Sequence, residues 1–151
     1  MSIIDSADAQ AHPRDTGDPL APPERRRIVH TTPAAPAPIG PYSQASQVGS
    51  LVAAAGQVGV NPETGELAAD LHTQTDQALH NVRAVLAAAG PGLDDVLRVD
   101  VHLFADADWD TYNAAYELWF PTDPPARTTV RAGLAPGVLV EVTVLAIVPA
   151  R

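Results

Sequence analysis

Glu141 and Arg127 are the residues of this sequence best suited to chemistry, and both lie in the C-terminal quarter. The run from Val138 to Val148 alternates as a strand does. Val138, Val140, Val142, Val144 and Ala146 share one side, and Leu139, Glu141, Thr143, Leu145 and Ile147 the other. A single carboxylate among aliphatic neighbours is costly to bury unless it is paired, hydrogen-bonded or protonated. Two readings follow: a structural ion pair with Arg98 or Arg131, or an acid whose pKa is lifted into a useful range. The residues alone leave both open. Arg127 comes directly after Pro124-Pro125-Ala126, a stiff lead-in to a strand on which Arg127, Thr129 and Arg131 share a face. A planar guanidinium held by a rigid backbone can grip a carboxylate through two parallel hydrogen bonds. Taken by itself, the position favours the plainer alternative, a structural salt bridge to an Asp or Glu.

Composition removes other mechanisms. The 151 residues include no Cys, and all 9 basic residues are Arg. Thiol nucleophiles, disulfides, cysteine metal sites, Schiff-base lysines and phosphate-binding P-loops are therefore excluded. The five serines, Ser2, Ser6, Ser43, Ser46 and Ser50, stand in no nucleophile context. His72, Asp76 and His80 invite a metal reading, but roughly 12 Å of helical rise separates the two histidines, so a solvated polar face is expected and no metal site. His102 reads as a strand residue on a polar face. A formal net charge of −9 disfavours nucleic acid, and the cluster Arg25-Arg26-Arg27 reads as a solvated strand start. No run approaches the roughly 18 apolar residues of a membrane span, and the N-terminus has no secretory pattern. A cytoplasmic location is the resulting expectation.

The elements that must position these residues follow from periodicity. Residues 1–25, rich in Pro, Ala and Asp, are expected to be a flexible tail, and residues 26–151 a single domain. Strands are expected at Arg27–His30, within Tyr42–Val48, and through the small-residue run Leu51-Val52-Ala53-Ala54-Ala55. A helix is expected from about Asp70, a good N-cap, to Ala89, with Gly90 as its stop. Its apolar stripe carries Leu71, Ala78, Leu79, Val82, Val85, Leu86 and Ala89. Its polar side carries Gln74, Gln77, Asn81 and Arg83. In Val96–Phe104, Val96, Arg98, Asp100 and His102 should face one way, and Leu97, Val99, Val101 and Leu103 the other. A second helix starts at Asp106 or Asp108 and places Trp109, Tyr112, Tyr116 and Trp119 in the core or an interface. Strands at Arg127–Ala132 and Val138–Val148 complete an α+β unit whose two helices cover one sheet face. The uncovered, apolar-leaning face predicts self-association.

Seven segments, in order, carry a family resemblance: Ile39-Gly40-Pro41-Tyr42-Ser43-Gln44-Ala45, Gly56-Gln57-Val58, Asn61-Pro62-Glu63-Thr64-Gly65-Glu66, Ala78-Leu79-His80-Asn81-Val82, Tyr112-Asn113-Ala114-Ala115-Tyr116-Glu117, Pro125-Ala126-Arg127-Thr128-Thr129-Val130 and Val140-Glu141-Val142. Together they closely resemble the reactive intermediate deaminase (RidA, YjgF) family over Arg26 to Val148. The resemblance implies a chorismate-mutase-like α+β fold, a mixed sheet, and a homotrimer with sites in clefts between subunits. It implies hydrolysis of enamine and imine intermediates to 2-oxo acids and ammonia, without metal or organic cofactor. Arg127 then grips the substrate carboxylate and Glu141 serves the imine nitrogen and its attacking water, the two facing each other across a shared pocket. Tyr42, Ala55, Gly56, Asn113 and Thr129 line it. Several positions depart from the family pattern. Ala55 stands where a serine is common, Thr129 where a cysteine is, and Thr143 where a second acid is, and the Arg-to-Glu interval is one residue short. These departures keep alternatives open: a pathway-specific imine or aminoacrylate in the same cleft, an endoribonuclease, or a non-catalytic 2-oxo acid-binding protein.

Overall fold

The computed structural model describes residues 26–150; the expected N-terminal tail lies outside them. The strands are β1 (Ile28–His30), β2 (Ala45–Val48), β3 (Leu51–Val58), β4 (Val96–Phe104), β5 (Ala126–Ala132) and β6 (Val140–Ile147). The helices are α1 (Leu71–Ala89) and α2 (Trp109–Glu117). One six-stranded sheet has the order β1-β2-β3-β6-β4-β5, and its β4–β5 pair is parallel while the others are antiparallel. Strand β6 lies inside the sheet and keeps its predicted alternation throughout, with Val140, Val142, Val144 and Ala146 buried. Those side chains and the small residues of β3 form the surface on which α1 packs. Both helices lie on this face, α2 beside α1. The other face is left open, with Leu51, Leu97 and Val130 exposed.

Helix α1 begins where its residues can satisfy orphan backbone donors. The Asp70 carboxylate accepts from the Thr73 N–H at 2.9 Å, and the Thr73 hydroxyl accepts in return from the Asp70 N–H at 3.3 Å. Gly90, at φ 111°, takes a conformation that L side chains rarely adopt and returns its N–H to the Leu86 carbonyl. Helix α2 starts at the second of its two candidate caps: the Asp108 carboxylate accepts from the Thr111 N–H at 2.8 Å.

Two expectations are corrected. Gln74 and Asn81 do not lie on a solvated side of α1; both are buried. Gln74 donates to the Ala68 and Gly137 carbonyls at 3.0 and 2.9 Å and accepts from the Leu139 N–H at 2.8 Å. Asn81 donates to the Val58 and Val60 carbonyls, both at 2.9 Å. Buried loop backbone needs partners, and these amides supply them. In β4 the alternation holds from Arg98 onward but is reversed at the start, where Val96 is buried and Leu97 exposed. A register shift against β6 between Val96 and Arg98 inserts the extra residue that turns the pattern over.

Gln74→Ala should destabilise the fold by about 3 kcal/mol, because it leaves the Leu139 N–H without a buried partner; urea unfolding measures this. The Asp70 carboxyl is held below its ordinary value of 3.8, first by the Thr73 N–H and then by the Thr73 hydroxyl. Its contribution is therefore complete above that value and is lost as pH falls through the lower folded one. Asp70→Asn keeps the cap and removes this titration, so the variant's urea midpoint should fall less than the parent's between about pH 5 and pH 2.

Candidate active site in two halves

The first half gathers on α2 and the edge strand β5. Arg127 pairs in register with Val99, Thr129 with Val101 and Arg131 with Leu103, so all three share the face that α2 covers. The Arg127 guanidinium donates from Nη2 to Asn113 Oδ1 at 2.9 Å. It lies 4.6 Å from the Tyr116 ring centroid and 5.3 Å from that of Tyr112. No carboxylate pairs with it among the described residues, so the expected salt bridge is not found. Beside it opens a concavity of about 580 Å³ lined by Asn113, Tyr116, Phe120, Pro124, Pro125 and Arg127, with Glu117 and Pro121 completing the wall. Burial pushes the Tyr112 phenol up to about 12, with Arg127 and Thr129 drawing it partly back. Tyr116 is raised further, by burial and then by Tyr112. Both rings are thus neutral over the working pH range. Arg131 is turned elsewhere: its Nη1 donates to the Phe104, Ala105 and Ala107 carbonyls, and its guanidinium lies 5.5 Å from the Trp109 ring centroid.

The second half is built on β3 and β6. Ala54 opposes Val144 and Gln57 opposes Val142, so Ala55 and Gly56 form a bulge against a single β6 residue. The Glu141 side chain lies against this bulge. A Cβ on Gly56 would stand 2.5 Å from Glu141 Oε1, so any side chain here would displace that carboxylate. Glu141 is half-buried, with Val58 and His102 as its direct cross-strand neighbours. Neither predicted ion pair forms: Arg98 forks onto Asp100 at 2.8 to 3.0 Å, and Arg131 is held by the carbonyls described above. Among the described residues the Glu141 carboxylate makes no ion pair.

The two halves do not meet within one chain. Glu141 alternates with the buried valines of β6 and so occupies the open sheet face, whereas Arg127 occupies the helix-covered face. Strand β4 separates them, and their register positions differ by three residues along it, from His102 to Val99. That puts them roughly 10 Å apart in each direction within the sheet, on opposite sides of it. A shared pocket inside a single chain is therefore ruled out by the register.

Of the other expected lining residues, Asn113 and Thr129 accompany Arg127, and Ala55 and Gly56 accompany Glu141. Tyr42 is exposed before β2, its hydroxyl accepting from the Ile39 N–H at 3.2 Å, with no hydrogen bond to either half. Asp76 and His80 form a surface pair at 3.6 Å, and no metal-binding cluster occurs among the described residues. The sequence puts Tyr112 and Tyr116 in the core or an interface and does not reveal their contact with Arg127. Their four-residue spacing on one helix beside Asn113 was the available signal.

The family model described as Endoribonuclease L-PSP matches residues 32–148. A RutC family protein of Saccharolobus solfataricus is 43% identical over 117 residues, covering 76% of this chain and 93% of its own. The 2-iminobutanoate/2-iminopropanoate deaminase of Escherichia coli is 38% identical over 117 residues, covering 75% and 91%. The crystal structure of Escherichia coli YjgF aligns with a TM-score of 0.76 at 37% identity, over 80% of this chain and 98% of that one. Escherichia coli TdcF with bound serine aligns with the same TM-score at 34% identity and the same coverage. The six-stranded sheet with two helices is the mixed α+β fold of these structures. With the match running from before β2 to the end of β6, the chain belongs to the L-PSP family, that of the RutC, YjgF and RidA proteins.

Proposed function

We propose that this protein is a hydrolytic deaminase of reactive enamine and imine intermediates of the 2-iminobutanoate and 2-iminopropanoate type, releasing a 2-oxo acid and ammonia. Each site joins the Arg127 half of one copy to the Glu141 half of a neighbour in a homotrimer. The observation that carries this reading is an arginine held by an amide and two aromatic rings, with no carboxylate pairing with it among the described residues. Such a group is ready to take the carboxylate of a ligand. The deaminase relative supports the chemistry. A second reading, binding of small carboxylated molecules without turnover, draws on the serine bound to TdcF. It predicts 2-oxo acid binding with no ammonia release. The net charge of −9 weighs against RNA as a substrate.

In this reaction Arg127 binds the substrate carboxylate through two charge-assisted hydrogen bonds and orients the C=N carbon. A water held by Glu141 and a main-chain carbonyl adds its oxygen to that carbon, and its proton passes to the carboxylate. Glu141 returns that proton to nitrogen, giving a carbon that bears OH and NH2; it then takes the hydroxyl proton and passes it to nitrogen as the C–N bond breaks, so that ammonia leaves and the C=O forms. Imines hydrolyse readily in water, so positioning supplies most of what is required.

Arg127→Ala should abolish turnover of carboxylated imines in a protein with an unchanged melting temperature. Glu141→Gln should lower kcat by about a hundredfold while leaving 2-oxo acid binding intact. Refolding the two inactive variants together at equal concentration tests the shared site. About a quarter of wild-type activity should return, because that share of random neighbouring pairs joins an intact Arg127 to an intact Glu141. No recovery, with mixed oligomers demonstrated, would rule out a site shared between copies. Gly56→Ala should displace the Glu141 carboxylate and reduce kcat while sparing the affinity for 2-oxobutanoate, as read by ammonia release and titration calorimetry.

A further inference from the structure

We infer that Tyr116, backed by Tyr112, is the positioning residue that fixes Arg127 as a carboxylate receptor; this rests on the reading of Arg127 given above. Two observations converge on it. The guanidinium stands over both rings, closer to Tyr116 at 4.6 Å, within the range of cation–π attraction. Tyr112, Tyr116 and Phe120 form a ladder along one face of α2 and its C-terminal extension, with centroids 5.8 and 4.9 Å apart, so neither phenol can turn away from Arg127 without disturbing its neighbour.

The chemistry explains why rings hold this cation. A carboxylate counter-ion would occupy the N–H donors that a ligand needs. An aromatic face attracts the charge from above the guanidinium plane and leaves the in-plane donors free. Asn113 takes Nη2 alone. Nε and Nη1 make no hydrogen bond among the described residues, and the guanidinium borders the concavity. The aromatic ladder therefore orients Arg127 without competing for it.

The test uses the full-length protein with 2-oxobutanoate as the stable probe, and reads both affinity and the Nε–Hε resonance of Arg127 by NMR. Tyr116→Leu should weaken binding by about tenfold. Tyr116→Phe, which keeps the ring, should restore affinity to within about twofold. In the wild type and in Tyr116→Phe the Nε–Hε signal should be shifted by the ring current; in Tyr116→Leu it should move to the position of free arginine. Melting temperatures identify any variant that fails to fold, and Tyr112→Leu, which removes the more distant ring, then serves as a second substitution expected to weaken binding and to move the Arg127 signal in the same direction, by less than Tyr116→Leu. An Arg127 signal that Tyr116→Leu does not move overturns the inference. So does wild-type affinity in Tyr116→Leu when Arg127→Ala binds nothing. If the wild type binds no 2-oxobutanoate but the signal still moves, the positioning role stands and the reading of the site falls.

Discussion

The two-residue period of a paired strand is the constraint from which the rest of this structure follows. A residue in a sheet lies on the same face as its partner across the ladder, so the face of Arg127 is decided by Val99 and that of Glu141 by the valines beside it. Burying Val140, Val142 and Val144 beneath α1 turns Glu141 outward. Burying Val99, Val101 and Leu103 turns Arg127 toward α2. No rotamer change reconciles the two, because a slip of one residue would exchange the core for the surface. The core that makes the fold stable is thus the reason the candidate site is divided.

Each half leaves its key charge without an ion pair among the described residues. Arg127 has an amide and two neutral rings; Glu141 has a glycine bulge and Val58. The remaining arginines of the ordered sheet are otherwise engaged, Arg98 with Asp100 and Arg131 with loop carbonyls. The arginines that could have neutralised Glu141 are thus held away by specific hydrogen bonds.

Much of this was readable in the sequence where a local rule suffices. The alternation of β6, the Asp70 and Gly90 boundaries of α1, and the pairing of Arg127 with Thr129 and Arg131 on one face all rest on period or capping chemistry. What escaped depends on distant partners. Counting amphipathic positions puts Gln74 and Asn81 outside, because their value lies in carbonyls of loops far along the chain. The reversal at Leu97 needs the register of β6. The relation of Arg127 to Glu141 needs the strand order, in which β5 lies at the edge, parallel to β4. The helical spacing of Tyr112 and Tyr116 points to the core or an interface, and both are buried, but only tertiary packing shows the cation resting on them.

Strand β5 presents two guanidiniums on one face, yet Arg131 is folded back onto the β4–α2 loop by three carbonyl dipoles. The concavity therefore offers an incoming anion a single address. On the proposed reading, a small molecule with one acidic group enters in one polarity, its head at Arg127, and its orientation is set by a single chain.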